Sequence, residues 1–230
     1  MQSYELTYFY NRSWRRTFVI QIHRYMKHVL IINAGQSFAH SGGRYNETVT
    51  AHTKNFFEKN DDVEVKVTHI DKGYVAKEEV SKFVWADYII YHTPMWWFQV
   101  PNGFKKYIDE VFTEGHKNGI YHSDGRSSKN PKINYGTGGM LQGTKYMITT
   151  SWNAPKTAFT LPGEFFNETS VDDGPLFGFH RMNAFAAMEK LDGFHFHDVE
   201  KNADLKTDIL AYEEHLERVF KPELELSHCN

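Results

Sequence analysis

The chain has 230 residues, 40% of them hydrophobic and 24% charged, with a formal net charge of -3. That gives room for one sizeable α/β domain, and the charge argues against nucleic acid as the main partner. The lone Cys229 can form no intrachain disulfide and does not suggest a stapled exported protein, while no apolar run approaches the ~20 residues of a membrane span.

Residues 1–25 carry Arg12, Arg15, Arg16 and Arg24 against the single acid Glu5, with no clear apolar period. They are expected to form an extension upstream of the domain, and they lack the continuous apolar core of a signal peptide. Lys27–Gly35 is a continuous apolar run closed by glycine, the pattern of a parallel strand covered on both faces. A loop through Ser37, Ser41, Gly42 and Gly43 leads into a helix whose buried stripe is expected at Tyr45, Val49, His52 and Phe56. Val63–Ile70 alternates apolar and polar residues, as a half-exposed edge strand does. A short helix with Val80, Phe83 and Val84 then leads to a third strand, Tyr88–Thr93, closed by Pro94.

Two tryptophans, Trp96 and Trp97, follow that strand side by side. Adjacent side chains on extended backbone point to opposite faces, so one burial environment cannot serve both rings. An indole buries about 150–250 Å² when covered, so a wet one implies a partner surface or a flat ligand. From Pro101 a helix with Phe104, Ile108, Val111 and Phe112 runs to Gly115, and the stretch Gly115–Gly143 is long, polar and glycine-rich. Lys145–Ser151 reads as the fourth strand and delivers Trp152, Asn153, Ala154 and Pro155. An irregular Phe-rich segment, a helix around Phe179–Met188 and an alternating fifth strand, Gly193–Val199, come next. Ile209, Leu216, Val219 and Phe220 mark a closing helix. The domain is expected to span residues 26–220, with 221–230 as a C-terminal tail.

Strands alternating with helices imply an α/β fold, a flavodoxin-like three-layer sandwich with helices on both faces of a five-stranded parallel sheet in the order 2-1-3-4-5. In that order the chain reverses between strands one and three, and ligands bind beyond the carboxyl ends there. The stretch Ser41, Gly42, Gly43, Arg44, Tyr45, Asn46, Glu47 and Thr48 opens a helix, where unpaired amides and the helix dipole suit a phosphate. Pro94, Met95, Trp96 and Trp97 offer an aromatic wall and backbone groups for a flavin, and Trp152 with Asn153 a third contact from the same rim.

Other motifs are weaker. Gly136–Leu141 (GTGGML) fails as a dinucleotide fingerprint because Leu141 replaces the last glycine and the motif precedes a strand. Gln36-Ser37-Phe38-Ala39 approximates a nucleophile elbow, but Ala39 stands where glycine belongs. His195 and His197 share a strand face without a clear third metal ligand. Asp172-Asp173 reads as a solvated turn.

The stretches FAHSGGRYNET (38–48), TPMWWFQVP (93–101), KKYIDEVFTEG (105–115), SDGR (123–126), YGTGGMLQGTKYM (135–147) and SWNAP (151–155) are similar, in order and spacing, to the modulator of drug activity B family. These are flavodoxin-like NADPH:quinone oxidoreductases. The resemblance covers Met26 to about Phe220 and implies an FAD-dependent, cytoplasmic, homodimeric reductase with NADPH as donor and a quinone as acceptor. It implies a ping-pong reaction in which a hydride passes through flavin N5, with no side-chain nucleophile. Carried over by motif, Ser41–Thr48 hold the cofactor's phosphates, Pro94–Trp97 flank the isoalloxazine, and Tyr135, Ser151, Trp152, Asn153 and Ala154 complete the FAD site. Tyr121, His122 and His180 stand open as proton donors to the quinone. A pure electron-transfer flavodoxin and a non-enzymatic binding module are the competing readings.

Overall fold

The computed structural model describes residues 26–38 and 41–225, so the expected extension at residues 1–25 lies outside the described residues. In chain order come β1 (Lys27–Asn33), a ribbon of β2 (Ser37–Phe38) and β3 (Ser41–Gly42), α1 (Arg44–Glu58), β4 (Val63–His69), α2 (Ala76–Trp85), β5 (Tyr88–Pro94) and α3 (Asn102–Glu114). After a long loop follow β6 (Lys145–Ser151), the one-turn α4 (Thr157–Thr160), α5 (Phe177–Phe185), β7 (Glu189–Lys190), β8 (Phe194–Phe196) and α6 (Leu205–Glu225). The main sheet is parallel, in the order β4-β1-β5-β6-β7, with β8 also paired to β6. This is a flavodoxin-like fold, and the alternating strand β4 is the edge the pattern called for.

Side-chain alternation divides the core in two. Leu30, Ile32, Ile89, Tyr91 and Ile148 face α2, α3 and α5, while Val29, Ile31, Ile90 and Met147 face α1 and α6. Continuous apolar strands are needed here because both faces of β1, β5 and β6 are covered.

Several local expectations shift. The buried face of α1 runs through Asn46, Val49, Thr50, Thr53 and Phe57, one residue on from the expected stripe. Tyr45, His52 and Phe56 instead form the flank against α6, where Tyr45 donates to Asp208, His52 pairs with Glu213 and Phe56 meets Phe220. On α2, Val80 and Phe83 are buried but Val84 is exposed. α5 stops at Phe185 because Ala187 (φ 69) turns left-handed, with Ala187 N–H on Ala184 O and Met188 N–H on Asn183 O.

The expected fifth strand, Gly193–Val199, shortens to β8, and the two-residue β7 precedes it as a separate partner of β6. A β-carbon at Gly193 would stand 2.8 Å from the Ile148 carbonyl, so the chain crosses β6 there at a distance no other residue permits. At the other end, α6 continues through Pro222 to Glu225 with Leu224 in the core, so the segment expected as a tail from 221 is helical that far.

Candidate functional site

Strand register brings three loop origins level. Asn33 lies opposite His92, His92 opposite Thr149, and Pro94 opposite Ser151. With strands about 4.8 Å apart, the loops leaving β1, β5 and β6 emerge side by side. From β1 the chain goes to β4 on one side, and from β5 to β6 on the other, so this rim spans the reversal point where open α/β sheets bind ligands.

The first loop is narrower than a flexible turn. Asn33 accepts the Gly35 N–H at Oδ1 (2.8 Å) and donates through Nδ2 to Glu47 (2.9 Å), pinning the exit of β1 to the first turn of α1. A β-carbon at Gly35 would lie 2.8 Å from Asn46 Cβ and 2.9 Å from Asn33 Oδ1, so only glycine lets helix and loop approach this closely. Ser37 and Phe38 pair with Gly42 and Ser41 in the ribbon, and Gly43 (φ 70) turns the chain into α1 without any side-chain cap. The opening amides of this 15-residue helix therefore have no capping side chain, with the positive end of its dipole behind them. The Gln36 backbone passes close to Gly43, while its side chain turns away to Gly103 at the start of α3 and leaves this opening clear. A phosphate fits this cradle.

Several of the eight expected residues point elsewhere. Tyr45 turns to α6, the Thr48 hydroxyl bonds Arg44 O (3.0 Å), and Glu47 leans toward His69 of β4 (3.3 Å). Ser41, Gly42, Gly43 and Arg44 remain beside the opening, and Asn46 supports Gly35 from below.

In the second loop the tryptophans separate through a turn, where extended backbone was expected. Trp96 N–H donates to Gln99 O (2.9 Å) and Gln99 N–H to Trp96 O (3.1 Å), closing a hairpin-type turn around Trp97 (φ 49) and Phe98 (φ 64). Two left-handed central residues define the type I′ geometry that favours Asn and Gly. Each residue bearing a β-carbon costs about 1–2 kcal/mol in this region. Strain of this kind collects at ligand sites. Trp96 is half-buried on Phe38 (ring centroids 5.0 Å), Met95 and Pro94 are buried, and Trp97 stands 89% exposed.

The third loop differs. Trp152 is buried, donates its indole N–H to Thr150 Oγ1 (2.7 Å) and packs edge-on against Phe159 (5.1 Å). It anchors the rim and does not wall it. Asn153 is exposed and bonded to Glu200, and Ser151 and Ala154 hold the backbone by accepting the Met95 and Asp198 N–H groups.

Tyr135 is not brought to this rim within one chain. Its ring packs on Phe185 (5.8 Å) and under Arg126 (5.5 Å), close to Ala186 and to the start of β6. Ser151 lies at the other end of the seven-residue β6, about 20 Å away at 3.3 Å per residue. Tyr121 stacks on His116 and meets Phe185 at the same end, where His122 N–H bonds Gly138 O. His180 bonds Tyr146, near the start of β6. None of the three candidate proton donors borders the rim.

Buried titratable groups lie behind it. Burial pushes His92 down to about 3, which keeps it neutral with Nδ1 on Thr149 Oγ1 (2.7 Å) and Nε2 unpartnered. Ser37 lies on the exposed ribbon and forms no strand-to-helix elbow. Asp172 corrects the solvated-turn reading: it is half-buried and receives His180 (2.8 Å), Lys190 (2.6 Å) and His195 (3.5 Å). Its neighbour Asp173 does sit in a turn, bonded to Ser170. Among the described residues no group of three or more His, Cys, Asp or Glu side chains suits a metal ion.

Residues 27–219 match the family model described as the flavodoxin-like fold. NADPH:quinone oxidoreductase MdaB of Haemophilus influenzae is 43% identical over 192 residues, 84% of this chain and 98% of that one. The chain belongs to the modulator of drug activity B family. A Schizosaccharomyces pombe protein without an assigned activity is 44% identical over 192 residues, 84% of this chain and 96% of its own. Among solved structures, a Klebsiella pneumoniae protein described as a candidate quinone reductase matches with a TM-score of 0.62 at 21% identity, over 84% of each chain. General stress protein 14 of Treponema denticola, solved with FMN, matches at 0.52 and 21% identity over 83% of this chain and 99% of that one. At such identities the structural likeness speaks for the fold alone.

Asn33 and Phe98 escaped the sequence reading. An Asn two residues before a loop glycine is the signal for the first, since Asx side chains bond the backbone two residues on. The WWF run was the signal for the second.

Proposed function

We propose that this protein reduces quinones by two electrons with NADPH, through a bound FAD. The observation that carries the proposal is Trp97, fully wet and held in a strained turn, level with an uncapped helix start that can take a phosphate. Bound there, the flavin supplies the successive exchange of two electrons with the nicotinamide and the quinone. The chain's own residues hold and orient it. Gly42, Gly43, Arg44 and the opening amides of α1 take phosphate, Trp97 and Phe98 flank the ring system, and Ser151–Ala154 supply backbone along its edge. FAD rather than FMN rests on the resemblance, and NADPH on the activity named for the Haemophilus relative.

The deciding experiment is to release the cofactor from purified protein, identify it by chromatography, and follow NADPH and NADH oxidation with menadione. FAD together with quinone-dependent NADPH oxidation is the expected result, and FMN would correct the cofactor. Retained flavin without quinone turnover points to an electron carrier. A colourless protein that takes up no flavin points to a binding module and overturns the proposal.

A cytoplasmic homodimer belongs to the same proposal. The exposed Trp97, Tyr135, Phe165 and Phe177 offer apolar surface to a second copy, and Tyr135 has no place at its own chain's rim. A monomer mass by light scattering would refute it. Among the described residues no helix is long and apolar enough to cross a membrane.

A further inference from the structure

Asp172 lies at the far end of the Phe-rich segment that begins just after Trp152, and its carboxylate gathers α5, β7 and β8 through His180, Lys190 and His195. Both histidines turn Nε2 to the carboxylate and Nδ1 to a hydroxyl on the same face of β6. His180 Nδ1 meets Tyr146 Oη at 2.9 Å and His195 Nδ1 meets Thr150 Oγ1 at 2.7 Å. An ionised carboxylate only accepts, so each facing Nε2 carries a proton. That sets the orientation of both rings, as the far-side partner of an imidazole does. The Thr150 oxygen in turn accepts the Trp152 indole N–H at 2.7 Å. Burial would raise the Asp172 carboxyl, but its bonds to His180, His195 and Lys190 outweigh that and hold it below the usual carboxylate range.

The same segment is strung on aromatic contacts. Phe159 stacks on Phe166 (3.9 Å, 7°), Phe166 meets Phe98 edge-on (5.8 Å), and Phe165 stacks on Phe98 (5.3 Å, 22°). Phe98 is the other left-handed residue of the Trp97 turn. The strap thus starts at Trp152, passes over the turn, and ends at Asp172, which is wired back to Trp152.

We propose that Asp172 is a positioning residue for the rim. Through His195 and Thr150 it sets the Trp152 indole, and with it the Ser151–Ala154 backbone and the Phe165–Phe98 pair, which forms the wall for a flat aromatic acceptor. The proposal rests on the functional reading above, and its test has a readout independent of turnover.

The test uses full-length protein with ¹⁵N-labelled tryptophan, its Trp152 indole resonance assigned with Trp152→Phe. Asp172→Asn keeps the shape and removes the charge. It should move the Trp152 indole resonance in flavin-free protein, and should raise flavin Kd and quinone KM about threefold to tenfold with kcat within about twofold, the scale of one lost hydrogen bond. Thr150→Val should reproduce these changes and Thr150→Ser should restore wild-type values. Where Asp172→Asn yields no folded protein, His195→Gln, which severs Asp172 from Thr150, takes its place with the same expected changes. An unmoved resonance overturns the linkage. A moved resonance with unchanged Kd and KM leaves a merely structural contact and overturns the positioning role. A wild-type protein that binds no flavin defeats the functional reading, while the resonance still decides the linkage.

Discussion

Two loops leave neighbouring strands at the same register, Pro94 opposite Ser151, and each presents a tryptophan within three residues. They use it in opposite ways. Trp152 is buried, hydrogen-bonded and packed edge-on against Phe159, on backbone that makes ordinary contacts to its neighbours. Trp97 is exposed on backbone that is strained at two successive residues. Burial of one indole stabilises the fold, whereas display of the other opposes it, and a protein keeps such a cost where a ligand or partner covers the ring. Residue type alone therefore says little about role, and the local backbone says much.

The largest expected effect comes from cutting the buried indole. Trp152→Ala should lower unfolding free energy by about 3–5 kcal/mol in urea titrations; a loss below about 1 kcal/mol would deny Trp152 its anchoring role. The strand beneath the Trp97 loop should show itself through pH. His92 is held neutral in the fold, with its pKa driven by burial from 6.5 to about 3. The unfolded chain binds that proton first, so the contribution is whole above about pH 6.5 and is lost as pH falls toward 3, by up to about 1.4 kcal/mol per pH unit. His197, lowered to about 4 by its own burial, adds a loss of the same sign. Urea titrations at pH 7 and pH 5 should show the decline and His92→Asn should make it shallower, leaving the part due to His197; identical slopes in the two proteins would exclude His92 as a source.

A smaller effect separates display from support. Trp97→Ala should weaken flavin retention about tenfold, the scale of a lost ring contact, and leave unfolding free energy within about 0.5 kcal/mol. Unchanged flavin content would count against the ring as a platform. Smallest is Trp97→Gly, which frees the left-handed position and should gain about 1 kcal/mol of stability while losing flavin. A loss of stability there would mean that the exposed indole makes contacts worth more than the strain.

Much of the architecture was legible along the chain. The runs at Lys27–Asn33, Tyr88–Pro94 and Lys145–Ser151 are buried on both faces, and burial on both faces demands unbroken apolar sequence. The alternation of Val63–His69 marked an edge. Less legible were elements whose form depends on a neighbour. The stripe of α1 was misplaced by one residue because α6 covers its flank with Asp208, Glu213 and Phe220, a surface invisible to helical periodicity. The fifth strand shortened to Phe194–Phe196, with a separate two-residue strand before it, where Gly193 passes against the Ile148 carbonyl. Of the residues expected at the cofactor, Gly43 and Trp97 keep places at the opening, whereas Trp152 went into the core and Tyr135 to the opposite end of the sheet.

The sequence by itself determined the strand order and the rim. Apolar periodicity reports burial, and the handedness of β-α-β connections leaves few ways to stack such strands. Motif spacing determined the family. Tertiary structure alone decided which indole is wet, that Trp97 and Phe98 sit left-handed, and that Asp172 reaches His195 across the strap. Those outcomes turn on contacts between residues far apart in the chain and on backbone angles, which composition and period do not encode.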